Sequence, residues 1–148
     1  VSFLIAMLNE IGNRMCIDMN RVFVQGTSNG AMMANFLACA RGDIVDGAAV
    51  AASSFPLSSD QCMGPVPVFV LHGRNDNVIG FPVGEGVRDT WLGINGCTGP
   101  GEEIDRGCTQ WTDCEDRGQV VWCPHDGGHD RPDVAGFADE VYAFYMSL

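Results

Sequence analysis

The run Arg21-Val22-Phe23-Val24-Gln25-Gly26-Thr27-Ser28-Asn29-Gly30-Ala31-Met32-Met33-Ala34-Asn35-Phe36-Leu37-Ala38 changes character twice. Its first five residues are β-branched or aromatic at their centre and suit a strand. Gly26 to Gly30 is a short Gly/Ser/Asn stretch of the kind that turns a chain. Ala31 to Ala38 is rich in helix formers, and Arg41-Gly42 closes it. The order is strand, tight turn, helix.

Working outward, Leu4, Met7, Leu8, Ile11 and Met15 recur at helical spacing, with Ser2 as a candidate N-cap. Asn20 begins a turn between that helix and the strand. Downstream, Gly47 to Ala52 is a strand of small residues, and Pro67-Val68-Phe69-Val70-Leu71 is a stronger one, almost wholly apolar. Continuous apolar strands fit a parallel sheet covered on both faces. Residues 83–95 read as a helix. Residues 95–117 are rich in Gly, Cys and acidic groups and read as a disulfide-stapled loop. Gln119-Val120-Val121-Trp122-Cys123 is another strand. Val134, Phe137, Val141, Phe144 and Tyr145 mark a C-terminal helix with Pro132 near its start. Strands alternating with helices place the chain in the α/β class, with a mostly parallel sheet flanked by helices. At 148 residues it is one domain, 1–148.

Composition narrows the function classes. Hydrophobic residues make up 46% of the chain, enough for a core. The formal charge of −11 argues against nucleic acid or an anionic membrane as partner, because both repel an acidic surface. No apolar run approaches the roughly 18 residues of a membrane span. The 7 cysteines lack the paired short spacings of zinc sites, so they imply disulfides and an oxidising, extracellular compartment. Their odd number leaves one thiol without a partner in the chain. No metal or cofactor is expected.

Three features carry chemistry. Gly26-Thr27-Ser28-Asn29-Gly30 is a G-x-S-x-G pentapeptide between a strand and a helix. That context would present Ser28 as a nucleophile on a strained turn, with the Asn29 N–H facing a developing oxyanion. His72-Gly73-Arg74-Asn75-Asp76 follows an apolar strand, where catalytic groups of open α/β sheets collect. Asp76 there can orient an imidazole, although an Asx turn is the plainer reading. His125-Asp126-Gly127-Gly128-His129-Asp130 follows the next strand and offers two candidate bases. The glycine pair before His129 favours it over His125. His72, the remaining one of the 3 histidines, precedes Asp76 too closely for a Ser, Asp, His chain order. A metal site at His125-x₃-His129 lacks a further ligand.

At these residues the chain resembles the polyhydroxybutyrate depolymerase-like and feruloyl esterases of the α/β-hydrolase superfamily. The matching stretches are Cys16 through Val24, Gly26 through Met33, Leu37-Ala38-Cys39, His72-Gly73 with Asp76, Trp91 through Cys97, and Gly127-Gly128-His129. The resemblance implies an α/β-hydrolase fold, a Ser28, Asp76, His129 triad, and ester hydrolysis through an acyl-enzyme. It implies polyester substrates, or feruloyl or acetyl esters of plant polysaccharide. The family often has a tryptophan two residues after the catalytic histidine, where this chain has Arg131. The family's domain also begins earlier, with strands and a loop that donates the second oxyanion N–H. The expectation is therefore an N-terminally truncated domain, weakly active by itself.

Rival readings are a peptidase or acyltransferase using the same triad, and a non-catalytic carbohydrate-binding domain of the same fold. Cys108 with Cys114, and Cys97 with Cys123, are the expected disulfides. Trp91, Trp111 and Trp122 are candidates either for stacking on sugars or aromatic acyl groups, or for the core.

Overall fold

A computed structural model of the chain describes residues 2–129 and 137–148. Arg131, Pro132 and Val134, which entered the expectations above, lie outside the described residues. The elements run α1 (Ser2–Arg14), β1 (Phe23–Thr27), α2 (Asn29–Ala40), β2 (Gly47–Ala51), β3 (Val68–Gly73), α3 (Phe81–Ile94), β4 (Glu102–Ile104), β5 (Cys108–Trp111), β6 (Val120–His125) and α4 (Phe137–Ser147). They form one sheet in the order β1-β2-β3-β6-β5-β4. β1, β2, β3 and β6 are parallel, and β5 and β4 extend the sheet antiparallel.

Alternation along the strands explains the layering. Ala48, Val50, Val68, Val70, Val120 and Trp122 face α2 and α3, where they meet Ala31, Ala34, Ala38, Val87 and Trp91. Ala49, Phe69, Leu71, Val121 and Cys123 face the other way, toward Phe144 and Tyr145 of α4. With both faces covered, β3 is buried at every position, as its apolar run requires. Each Val or Leu side chain so removed from water contributes about 1.5–3 kcal/mol. The small residues of α2 let it lie close on β1 and β2. Trp91 is 0% exposed, and its Nε1–H donates to Asn35 Oδ1 at 2.9 Å. Trp91 and Trp122 thus belong to the core.

Helix α1 forms as expected; none of its residues is buried, and Phe3 and Met7 face outward. Three expectations are corrected. Ser2 is the first helical residue of α1 rather than its cap. The β1 strand lies two residues later than expected, because Val22 N–H is taken by the Asp46 carboxylate at 3.0 Å. Residues 95–117 are not simply a loop: they contain β4 and β5.

The disulfides also differ. They are Cys39–Cys62, Cys97–Cys114 and Cys108–Cys123, with Cys16 unpaired and exposed. The expected Cys108–Cys114 and Cys97–Cys123 pairs are excluded by strand register. Thr109 pairs with Trp122, which sets Cys108 of β5 against Cys123 of β6. The Thr98 N–H donates to the Asp113 carbonyl at 2.8 Å, which brings Cys97 to Cys114.

Candidate active site

Ser28 stands between the last residue of β1 and the first of α2. Its backbone lies at φ 54°, ψ −123°, a left-handed conformation that costs a non-glycine residue of order 1–3 kcal/mol. Two contacts hold it there. The Ser28 N–H donates to the Ala51 carbonyl of β2 at 2.9 Å, and the Ser28 carbonyl accepts from Met32 N–H at 3.0 Å. Gly26 makes the tight turn possible, since a Cβ there would run into the backbone of Gly30 and Ala31. Gly30 itself faces open space, so only the first glycine of the pentapeptide serves close approach. Asn29 is the first residue of α2, and an N–H at that position has no intrahelical partner. It is available to an anion at the helix N-terminus.

Asp76 follows β3. Its Oδ1 accepts from the Val78 and Ile79 N–H groups, both at 2.8 Å. Its Oδ2 accepts from His129 Nδ1 at 2.8 Å. The carboxyl is buried, which raises its pKa. The hydrogen bonds from His129, Ile79 and Val78 outweigh that burial and hold it below the ordinary 3.8. Asp76 is therefore ionised at neutral pH. One oxygen thus serves the turn and the other meets the His129 ring.

His129 lies beyond β6, and its Nε2 is 3.0 Å from Ser28 Oγ. Nδ1 faces a carboxylate, so it carries the proton. Nε2 is then the acceptor for the serine hydroxyl. His125, the rival base, is turned elsewhere: its Nδ1 accepts the Gly127 N–H at 3.1 Å. Burial, reinforced by His72, keeps its pKa below 6.5.

The loops carrying acid and base are stitched together by backbone. Arg74 N–H donates to the His125 carbonyl at 2.7 Å, and Asn75 N–H to the Gly127 carbonyl at 3.1 Å. The Asn75 side chain donates to the Asp126 carbonyl at 2.6 Å. The chain thus brings Ser28, His129 and Asp76, which are far apart in sequence, into one hydrogen-bonded row.

No family model matches the chain. It is 34% identical over 139 residues to feruloyl esterase D of Neurospora crassa, across 88% of this chain and 47% of that protein. It is 28% identical over 152 residues to feruloyl esterase B of Piromyces equi, across 86% of this chain and 28% of that protein. The fold is similar to that of the acetyl xylan esterase from Aspergillus awamori, with a TM-score of 0.73 at 18% identity over 97% of this chain and 66% of that one. The chain is thus similar in sequence to feruloyl esterases, and its fold is that of the α/β-hydrolases. The chain spans less than half of the length of those two sequence relatives.

Two features near the site escaped the sequence. His72 is 1% exposed and lies directly beneath Asp76, with its Nε2 3.4 Å from Asp76 Oδ2. A cavity of about 460 Å³ opens between α4 and the sheet, lined by Phe23, Gln25, Ala51, Leu71, Tyr142 and Tyr145 among others. None of the three hydrogen-bonded residues lines it. Among the described residues, Cys108, Cys123 and Glu140 are close enough together to hold a metal ion. The two sulfurs are bonded to each other, which leaves the carboxylate as donor.

Proposed function

We propose that the protein hydrolyses carboxylic esters through an acyl-enzyme on Ser28. The observation that carries this reading is the continuous row from Ser28 Oγ through the His129 imidazole to Asp76. His129 Nε2 takes the hydroxyl proton as Ser28 Oγ attacks the ester carbonyl. Asp76 keeps the imidazole in the Nδ1–H tautomer and stabilises the imidazolium. The Asn29 N–H donates to the oxyanion of the tetrahedral intermediate. The intermediate collapses, and His129 returns the proton to the departing alcohol. Water, deprotonated by His129, then attacks the acyl carbonyl and frees the acid and Ser28.

The names of the sequence relatives support feruloyl esters, and by extension polymeric cell-wall material, as substrates. The three disulfides support a secreted protein. The acidic surface suits neutral esters better than nucleic acid or anionic lipid.

The test is labelling of the full-length protein with a fluorophosphonate, followed by peptide mapping, alongside burst kinetics on a nitrophenyl ester. The label is expected on Ser28, and Ser28→Ala is expected to abolish both label and burst. An unlabelled Ser28, or a burst that survives the substitution, overturns the mechanism. Rates on a feruloyl ester, acetylated xylan, a hydroxyalkanoate polyester and an amide then assign the substrate class.

A further inference from the structure

Among the described residues, His72 is a buried imidazole that the mechanism above does not use. Its Nε2 lies 2.8 Å from the Ile79 carbonyl. A carbonyl only accepts, so Nε2 carries a proton and donates it there. Ile79 is also one of the two residues whose N–H groups hold Asp76 Oδ1. The same imidazole edge is 3.4 Å from Asp76 Oδ2, the oxygen that His129 uses. His72 therefore ties down the far end of the turn that clamps one carboxylate oxygen, and sets an N–H dipole beside the other.

The imidazole is held in turn from outside the site. Gly84 of α3 lies against it so closely that a Cβ at Gly84 would overlap the ring. Phe81 meets it edge-on, with centroids 6.2 Å apart. A contact path runs from α3 through His72 to the turn at Asp76–Ile79, then to His129 and Ser28.

We propose that His72 is a positioning residue: its Nε2–H fixes the orientation of Asp76 and thereby of the His129 base. This rests on the triad reading. It makes the nature of the side chain at 72 matter for kcat rather than only for folding. A nonpolar side chain would leave the Ile79 carbonyl without its donor and would remove the N–H dipole beside Asp76 Oδ2. Gln can place an amide N–H near the position of Nε2, whereas the shorter Asn reaches only as far as Nδ1.

The experiment measures kcat and KM on a nitrophenyl ester, with thermal melting, for His72→Leu, His72→Asn and His72→Gln in the full-length protein. His72→Leu and His72→Asn are expected to lower kcat about tenfold to hundredfold with KM unchanged. His72→Gln is expected to recover most of the loss. In an Asp76→Asn background, His72→Leu should lower kcat no further, because the residue acts through Asp76. Wild-type kcat in His72→Leu, or a loss that persists in full in the Asp76→Asn background, overturns the proposal. If His72→Leu does not fold, the comparison of Gln with Asn decides, and equal kcat in the two overturns it. Wild-type activity in Asp76→Asn itself would instead refute the triad reading, so the two failures are told apart.

Discussion

Gly73 and Gly128 meet backbone to backbone: the carbonyl oxygen of Gly128 fills the space that a Cβ on Gly73 would need. Gly73 ends β3 just before Asp76, and Gly128 precedes His129. The contact sets the separation of the loops that carry acid and base. Gly73→Ala must push the 127–128 segment away, and His129 with it. A displacement of about 1 Å at a reacting group costs about a hundredfold in rate. The variant is expected to stay folded by circular dichroism and to lose about that factor in kcat on a nitrophenyl ester. Full activity in a folded Gly73→Ala would show that this contact does not set the geometry.

His125, the last residue of β6, and His129, beyond it, should separate cleanly. His129 faces both Ser28 and Asp76, whereas the Nδ1 of His125 is occupied by the Gly127 N–H. His129→Ala is expected to remove fluorophosphonate labelling at Ser28 and to lower kcat by about 10⁴ or more. His125→Ala is expected to keep labelling, with at most a modest loss from a looser 126–128 turn. The reverse ranking would move the base to His125.

What was legible in the sequence was local. The elbow could be read because a strand, a turn and a small-residue helix abut within a few residues. Asp76 and His129 could be read as candidates because both follow apolar strands and fit a chain order, and the fold brings them together. What was not legible depends on register or on space. The true partner of Cys108 follows from the pairing of Thr109 with Trp122, which no spacing rule reveals. Strand β4, Glu102–Ile104, is exposed at every residue and shows no alternation to detect. His72 was set aside by chain order, yet its proximity to Asp76 in sequence is what puts it underneath that carboxylate. That Gly26 and not Gly30 serves close approach depends on the space around each, which the pentapeptide pattern does not encode.

The Cys108–Cys123 bridge joins β5 to β6, the strand that leads into His129, and closes a loop with a sequence separation of 15. A loop of that size lowers the entropy of the unfolded chain enough to contribute about 3 kcal/mol. Replacing both cysteines by Ala should lower the urea midpoint by at least about 1 M, given m-values of about 1–3 kcal/mol/M. Reduction of the parent protein should move the midpoint in the same direction. An unchanged midpoint in the double variant would remove the bridge from the sources of stability.

Tyr145 should set the alkaline limit of stability. It packs on Phe23 with ring centroids 4.4 Å apart, and its hydroxyl donates to the Val24 carbonyl of β1 at 3.0 Å. Burial disfavours the phenolate and pushes its pKa well above the ordinary 10.0. A group whose pKa is higher folded than unfolded stabilises the fold fully below the unfolded value. That contribution fades as pH climbs from 10 toward the folded value, because the unfolded chain gives up the proton first. The chain has no lysine, since its 8 basic residues are all arginine, and arginine does not titrate in this range. The urea midpoint of the parent protein is therefore expected to decline above about pH 10, the ordinary tyrosine value. Tyr145→Phe should be less stable at neutral pH, where it lacks the bond to Val24, and should show a shallower decline at high pH. Parallel declines in the two proteins would assign the alkaline loss to another group.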